Sequence, residues 1–104
     1  MSTGKGKQVR WQEVALNDLT QIVAGIAERA PQAAENFSEK VLARVEALAD
    51  SPYLGAVCPQ FGKARQLIHG NYIIYYTVHR QEVVIRAVVR GARLFRSSWL
   101  RREP

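Results

Sequence analysis

Apolar residues change their spacing several times along the chain, and each change marks a new element. Val9-Arg10-Trp11 is a short apolar–basic–apolar run that predicts a brief first strand. From Glu13 to Arg29 the period lengthens: Ala15, Leu19, Ile22, Val23 and Ile26 recur at the spacing of one helix face. Glu13 and Asp18 fall early in that helix, where acids suit the positive end of its dipole. Ala30-Pro31 interrupts it, because proline disfavours helical geometry in the residue before it. The same proline is well placed in the first turn of a new helix. That second helix is predicted to run to about Ala49, with Ala34, Phe37, Val41, Val45 and Leu48 as its apolar stripe. Two amphipathic helices joined by almost no loop predict a helical hairpin.

Asp50-Ser51-Pro52 stops the second helix, and Pro52, Gly55, Pro59 and Gly62 punctuate a connecting loop. After Gly62 the period becomes two around Arg65 and Leu67. His69-Gly70-Asn71 reads as a turn, Tyr72–Val78 as a strand rich in Ile, Tyr, Thr and Val, and His79-Arg80-Gln81-Glu82 as a second turn. Val83–Val89 is a third β run, with apolar triplets on both sides of Arg86. The expected fold is α+β: an N-terminal short strand, a helical hairpin, then an antiparallel sheet of three further strands with Tyr72–Val78 in the middle. A length of 104 residues supplies one domain. Residues 1–8 read as a flexible tail without a secretory pattern. Residues 94–104 read as a C-terminal arm whose Leu94–Leu100 suits either a short helix or an extended segment.

Charge adds a direction to this picture. The net charge of +6 is not spread evenly. Residues 61–104 hold nine Lys/Arg against Glu82 and Glu103 alone, whereas the first sixty hold six against seven acids. A concentrated basic surface attracts phosphate backbones or an acidic protein partner, although a solvated basic face would also keep a protein soluble. The one cysteine, Cys58, has no partner for an internal disulfide and no metal-ligand spacing around it, so it reads as an incidental loop thiol. Neither a metal nor a cofactor is expected, and no apolar stretch nears the roughly 20 residues of a membrane span. The cytoplasm is the expected location.

The order of these features resembles the RelE/ParE family of toxins, closer to the ParE-like branch. The features that carry the resemblance are Val9–Trp11, then Ala15, Asp18-Leu19 and Ile22, Pro31 with Ala33-Ala34 and Phe37, and Leu48 with Ser51-Pro52. Beyond the loop they are Arg65 and Leu67, Tyr72-Ile73-Ile74-Tyr75-Tyr76, Val83–Val89 and Arg90-Gly91-Ala92-Arg93. The resemblance implies the toxin of a type II toxin–antitoxin system, associated with plasmid stabilisation and growth arrest and neutralised by a cognate antitoxin in a hetero-oligomer. It also implies one of two targets. One branch cleaves messenger RNA on the ribosome, which requires proton transfer and stabilisation of charge on phosphorus. For that chemistry the resemblance points to Lys63, Arg65, Arg90 and Arg93. The middle-strand position that would carry a cation is Ile73, and the C-terminal aromatic is Trp99, which has no titratable hydroxyl. The other branch inhibits DNA gyrase without a complete catalytic set, and this sequence fits it better. Target-binding residues are then expected at Arg65, Arg90, Arg93, Arg96 and Trp99. A small basic binding module without toxicity is the further alternative.

Other residues carry plainer readings. Arg65 could instead pair with Glu82 or a helix acid, and Arg86 reads as a solvent-face residue. Two of the three strand tyrosines, Tyr72, Tyr75 and Tyr76, are expected to complete the core. His69 and His79 sit at turns without a carboxylate or second ligand at useful spacing. Ser97-Ser98 has no base to activate it, and Trp99 suits either a stacking platform or a lid on the helices.

Overall fold

A computed structural model describes residues 6–91, and in it the chain forms β1 (Gln8–Trp11), α1 (Glu13–Ala27), α2 (Pro31–Glu46), β2 (Ala56–Val57), β3 (Arg65–His69), β4 (Tyr72–Val78) and β5 (Glu82–Arg90). Short 3₁₀ turns follow α2 at Ala47–Ala49 and precede β3 at Pro59–Phe61. The arm at residues 94–104 and most of the tail at 1–8 lie outside the described residues.

The strands form one sheet in the order β1-β5-β4-β3-β2. From β2 to β5 it is an antiparallel meander with β4 between β3 and β5, as the two turns predict. Two details go beyond the expected three-stranded sheet. β1 joins β5 in parallel, with Val9 opposite Val83 and Trp11 opposite Ile85. The helical hairpin carries the chain across one face between them, so β1 reaches the free edge of β5. The loop after Pro52 also pairs Ala56 and Val57 with β3, a strand too short to display a period.

Both helices cover one face. Ala15 and Leu19 of α1, Val41 and Val45 of α2, and Leu48 meet Leu67, Ile74, Tyr76, Val83, Ile85 and Val88 in the main core. The opposite face holds a second cluster of Cys58, Ala64, Ile73, Tyr75, Ala87 and Val89, with Phe61 packed against it. Alternation along β4 therefore sends Tyr75 and Tyr76 to different clusters, and both rings are fully buried. Those two tyrosines complete the core, and Tyr72 is the half-buried third.

Arg86 corrects the solvent-face reading. The register between β4 and β5 slips there, because Tyr75 lies opposite Ala87 and Tyr76 opposite Ile85. Arg86 is thus the extra residue of a β-bulge. It is half-buried, and its guanidinium donates to Thr77 Oγ1 at 3.3 Å. Cys58, in the loop after β2, is 4% exposed, its amide donates to the Ala64 carbonyl at 2.9 Å, and burial pushes its thiol pKa up.

Candidate functional site

The loop from Pro52 to Gly55 is held onto the sheet by two side chains. Tyr76 sends its ring through the core, and its hydroxyl donates to the Pro52 carbonyl at 2.9 Å while accepting the Gly55 N–H at 2.8 Å. Arg65, on the neighbouring strand opposite Tyr76, donates to the Gly55 carbonyl at 2.6 Å and the Tyr53 carbonyl at 3.3 Å. Its guanidinium also lies 4.9 Å from the centre of the Tyr53 ring. A charged fork that satisfies two carbonyls and an aromatic face is committed to the architecture of this loop. Glu82 is not its partner. That carboxylate pairs with Arg10 across β1 and β5 at 3.1 Å, and the Arg10 hydrogen bond holds the Glu82 pKa down.

Gly55 is the third part of this clamp. A Cβ added there would lie 2.5 Å from the Gln66 carbonyl oxygen and 2.7 Å from the Tyr76 hydroxyl. Gly55→Ala is therefore expected to lower stability by about 1–3 kcal/mol through overpacking. Urea unfolding checks this, and a midpoint unchanged from wild type would contradict the close approach.

On the face away from the helices, Val57, Cys58, Pro59, Gln60, Gln66, Ile68, Ile73 and Tyr75 line a groove of about 420 Å³. Its polar groups are the side chains of Gln60, Gln66 and Tyr75 beside the Cys58 thiol, and Cys58 Sγ lies 3.6 Å from Gln66 Oε1. Burial, with Cys58 adding to it, pushes the Tyr75 phenol up to about 12, so the hydroxyl keeps its proton at neutral pH. Ile73 is 3% exposed on this face. No Lys, Arg or His is among the groove's described lining residues.

Of the residues expected to act together, the described ones stand at two ends of the sheet. Lys63 is exposed in the turn before β3, Arg65 begins β3, and Arg90 ends β5 beside the opposite end of β3. Arg90 lies in a row with Tyr72 and His69, four residues along β3 from Arg65, or about 13 Å at the usual strand rise. Arg93, Arg96 and Trp99 lie outside the described residues. His79 is tied to its own strand end: its Nε2 lies 2.8 Å from Thr77 Oγ1, the atom that Arg86 of β5 also reaches. Among the described residues no group of three or more His, Cys, Asp or Glu could hold a metal ion, and no helix is long and apolar enough to cross a membrane.

The family model of the ParE toxin, from the type II toxin–antitoxin system parDE, matches residues 9–95. The chain belongs to the ParE toxin family. Among solved structures, this ParE-family chain is similar to one from the chromosomal ParDE toxin–antitoxin system of P. aeruginosa. The two share 20% identity at a TM-score of 0.72, over 82% of this chain and 96% of the other. It is also similar to a chain of the toxin–antitoxin complex RelBE2 from Mycobacterium tuberculosis, at 19% identity and a TM-score of 0.57, over 84% and 93% respectively. None of the curated proteins compared matches the sequence. At these identities the structural likeness speaks for the fold, a helical hairpin on a mixed sheet that the ParE and RelE toxins share.

Proposed function

We propose that this ParE-family toxin is neutralised by a cognate antitoxin in the cytoplasm and acts by inhibiting DNA gyrase. The observation that carries the choice of target is the groove on the open face of the sheet. Cleaving RNA through its 2′-hydroxyl needs a group that accepts a proton and cations that stabilise the charge on phosphorus. The described lining of the groove offers Ile73 where a cation would serve, and a Tyr75 phenol held protonated up to about 12. Lys63 and Arg65 stand at one end of the sheet and Arg90 at the other, which disfavours a joint catalytic role. A proton-handling residue supplies ~10²–10⁴-fold in rate, a contribution that the groove's described lining does not offer to cleavage. The effector in this reading is the segment beyond Gly91, with Arg93, Arg96 and Trp99 contacting gyrase. The antitoxin meets the outside of the helical hairpin, where Leu16 and Leu42 are 48% and 42% exposed.

A side-by-side assay tests the reading. The purified chain is expected to inhibit plasmid supercoiling by gyrase and to leave translated messenger intact by primer extension. Truncation after Gly91 is expected to abolish that inhibition while the shortened chain still co-purifies with its cognate antitoxin. Cuts at ribosomal A-site codons that vanish with Arg93→Ala, with gyrase unaffected, would replace this reading by a ribosome-dependent endonuclease.

A further inference from the structure

The register of the sheet assembles a row of side chains of which the gyrase reading draws on Arg90 alone. His69 lies opposite Tyr72, and Tyr72 lies opposite Arg90. Directly opposed residues project from the same face, so the three form a transverse row about 10 Å long across three strands. The face is the one that carries the helices, because Ile74 and Tyr76, two and four places along β4 from Tyr72, belong to the main core. α2 lays Phe37 against the row: its ring centre is 5.6 Å from that of His69 and 5.0 Å from that of Tyr72. Lys40 and Arg44 follow Phe37 at helical spacing, one and two turns along the same flank. Arg44 donates to the Ile68 carbonyl at 2.7 Å, which pins α2 to β3 one residue before His69.

The electrostatics of the row are one-sided. Burial lowers the His69 pKa, and Arg44 and then Lys40 lower it further, so the charges acting on the ring are both cationic. Besides these two from α2, β4 faces the ring with Tyr72, and β5 contributes Arg90 on the far side of Tyr72. Lys40 and Arg44 are like charges four residues apart, a spacing that destabilises an isolated helix. Arg44 has its carbonyl to hold, but Lys40 and Arg90 are exposed and neither forms an ion pair among the described residues. Packing alone does not call for cations here.

We propose that Phe37, Lys40, Arg44, His69, Tyr72 and Arg90 form a binding surface for single-stranded nucleic acid. The exposed cations take phosphates, and the half-buried rings of His69 and Tyr72 give unpaired bases a stacking surface, the two features that single-strand sites combine. A duplex keeps its base faces inside, and an acidic peptide meets the same charge but gains no stacking. Phosphate beside His69 also reverses the influence of Lys40 and Arg44 and favours the protonated ring.

The test uses the full chain without gyrase, so its outcome is separate from the choice of toxic target. Fluorescence anisotropy with a labelled single-stranded DNA of twenty nucleotides is expected to show salt-sensitive binding. Lys40→Glu and Arg90→Glu are each expected to weaken it and to reduce the slope of log affinity against log salt by roughly 0.7 for each phosphate no longer neutralised. Arg80→Glu, in the exposed turn before β5, is expected to leave it unchanged. By NMR the His69 pKa is expected to rise in the complex. Binding that ignores both substitutions, a His69 pKa that does not move, or tighter binding of a duplex or an Asp-rich peptide through the same residues would each overturn the proposal. Circular dichroism of the two variants separates impaired binding from impaired folding.

Discussion

Replacing Tyr76 by alanine is expected to remove about 3–5 kcal/mol of stability through the emptied ring site alone. Its ring is fully buried between the helices and the sheet, and its hydroxyl holds both ends of the Pro52–Gly55 loop. A domain of this size has about 5–15 kcal/mol to lose, so the variant should lie close to its unfolding transition at room temperature. Tyr76→Phe separates the two contributions. It keeps the ring and removes the hydroxyl, leaving the buried Gly55 N–H without its acceptor, a loss of about 1–3 kcal/mol. Urea unfolding of the three proteins, with matching slopes, measures both steps. Equal losses for Phe and Ala would mean that the ring contributes nothing, against its place in the core.

The fold was legible wherever a period ran long enough. Helical spacing from Ala15 to Ile26 and from Ala34 to Leu48 corresponds to α1 and to α2 with its 3₁₀ continuation, and Pro31 sits where the second helix begins. Turn residues at His69–Asn71 and His79–Glu82 separate β3, β4 and β5. What was not legible depends on contacts distant in sequence. The parallel pairing of Gln8–Trp11 with Glu82–Ile85 joins residues more than seventy places apart, and neither segment alone states its partner or direction. The bulge at Arg86 is visible only through the slip between Tyr75 and Tyr76. Without it, simple alternation would put Ile85 and Ala87 on one face, whereas they belong to different clusters.

The site was harder to read than the fold, for the same reason. Arg65 is assigned to a target by the family resemblance, with an ion pair to Glu82 or a helix acid as the alternative. Its carbonyl acceptors, Gly55 and Tyr53, lie ten and twelve residues back in a loop with no periodic signal. His69 looked inert because its sequence neighbours carry no useful charge. The charges that act on it come from α2, and the row it shares with Tyr72 and Arg90 exists only once the register is set. Chemistry carried by one residue is visible in a sequence; chemistry carried by a row across three strands is not.

Alkaline pH is expected to destabilise the wild-type protein more than a Tyr75→Phe variant. Burial, followed by the effect of Cys58, pushes the Tyr75 phenol from 10.0 up to about 12. The unfolded chain releases that proton near pH 10 and the folded chain only near 12. Between those values the unfolded state binds fewer protons, so stability falls as pH rises. The contribution is fully present below pH 10 and is lost on the way to 12, at roughly 1.4 kcal/mol per pH unit or about 2–3 kcal/mol in all. Phenylalanine keeps the ring between Ile73 and Ala87 in the far-face cluster but has no proton to lose. Tyr76 and Cys58, whose pKa values are raised as well, still titrate in the variant, so its alkaline loss is reduced and not abolished. Urea midpoints at pH 8, 10 and 11 provide the comparison, with lysine and arginine titration common to both proteins. Midpoints that fall in parallel over that range would show that the Tyr75 phenol ionises as readily in the folded protein as in the unfolded chain.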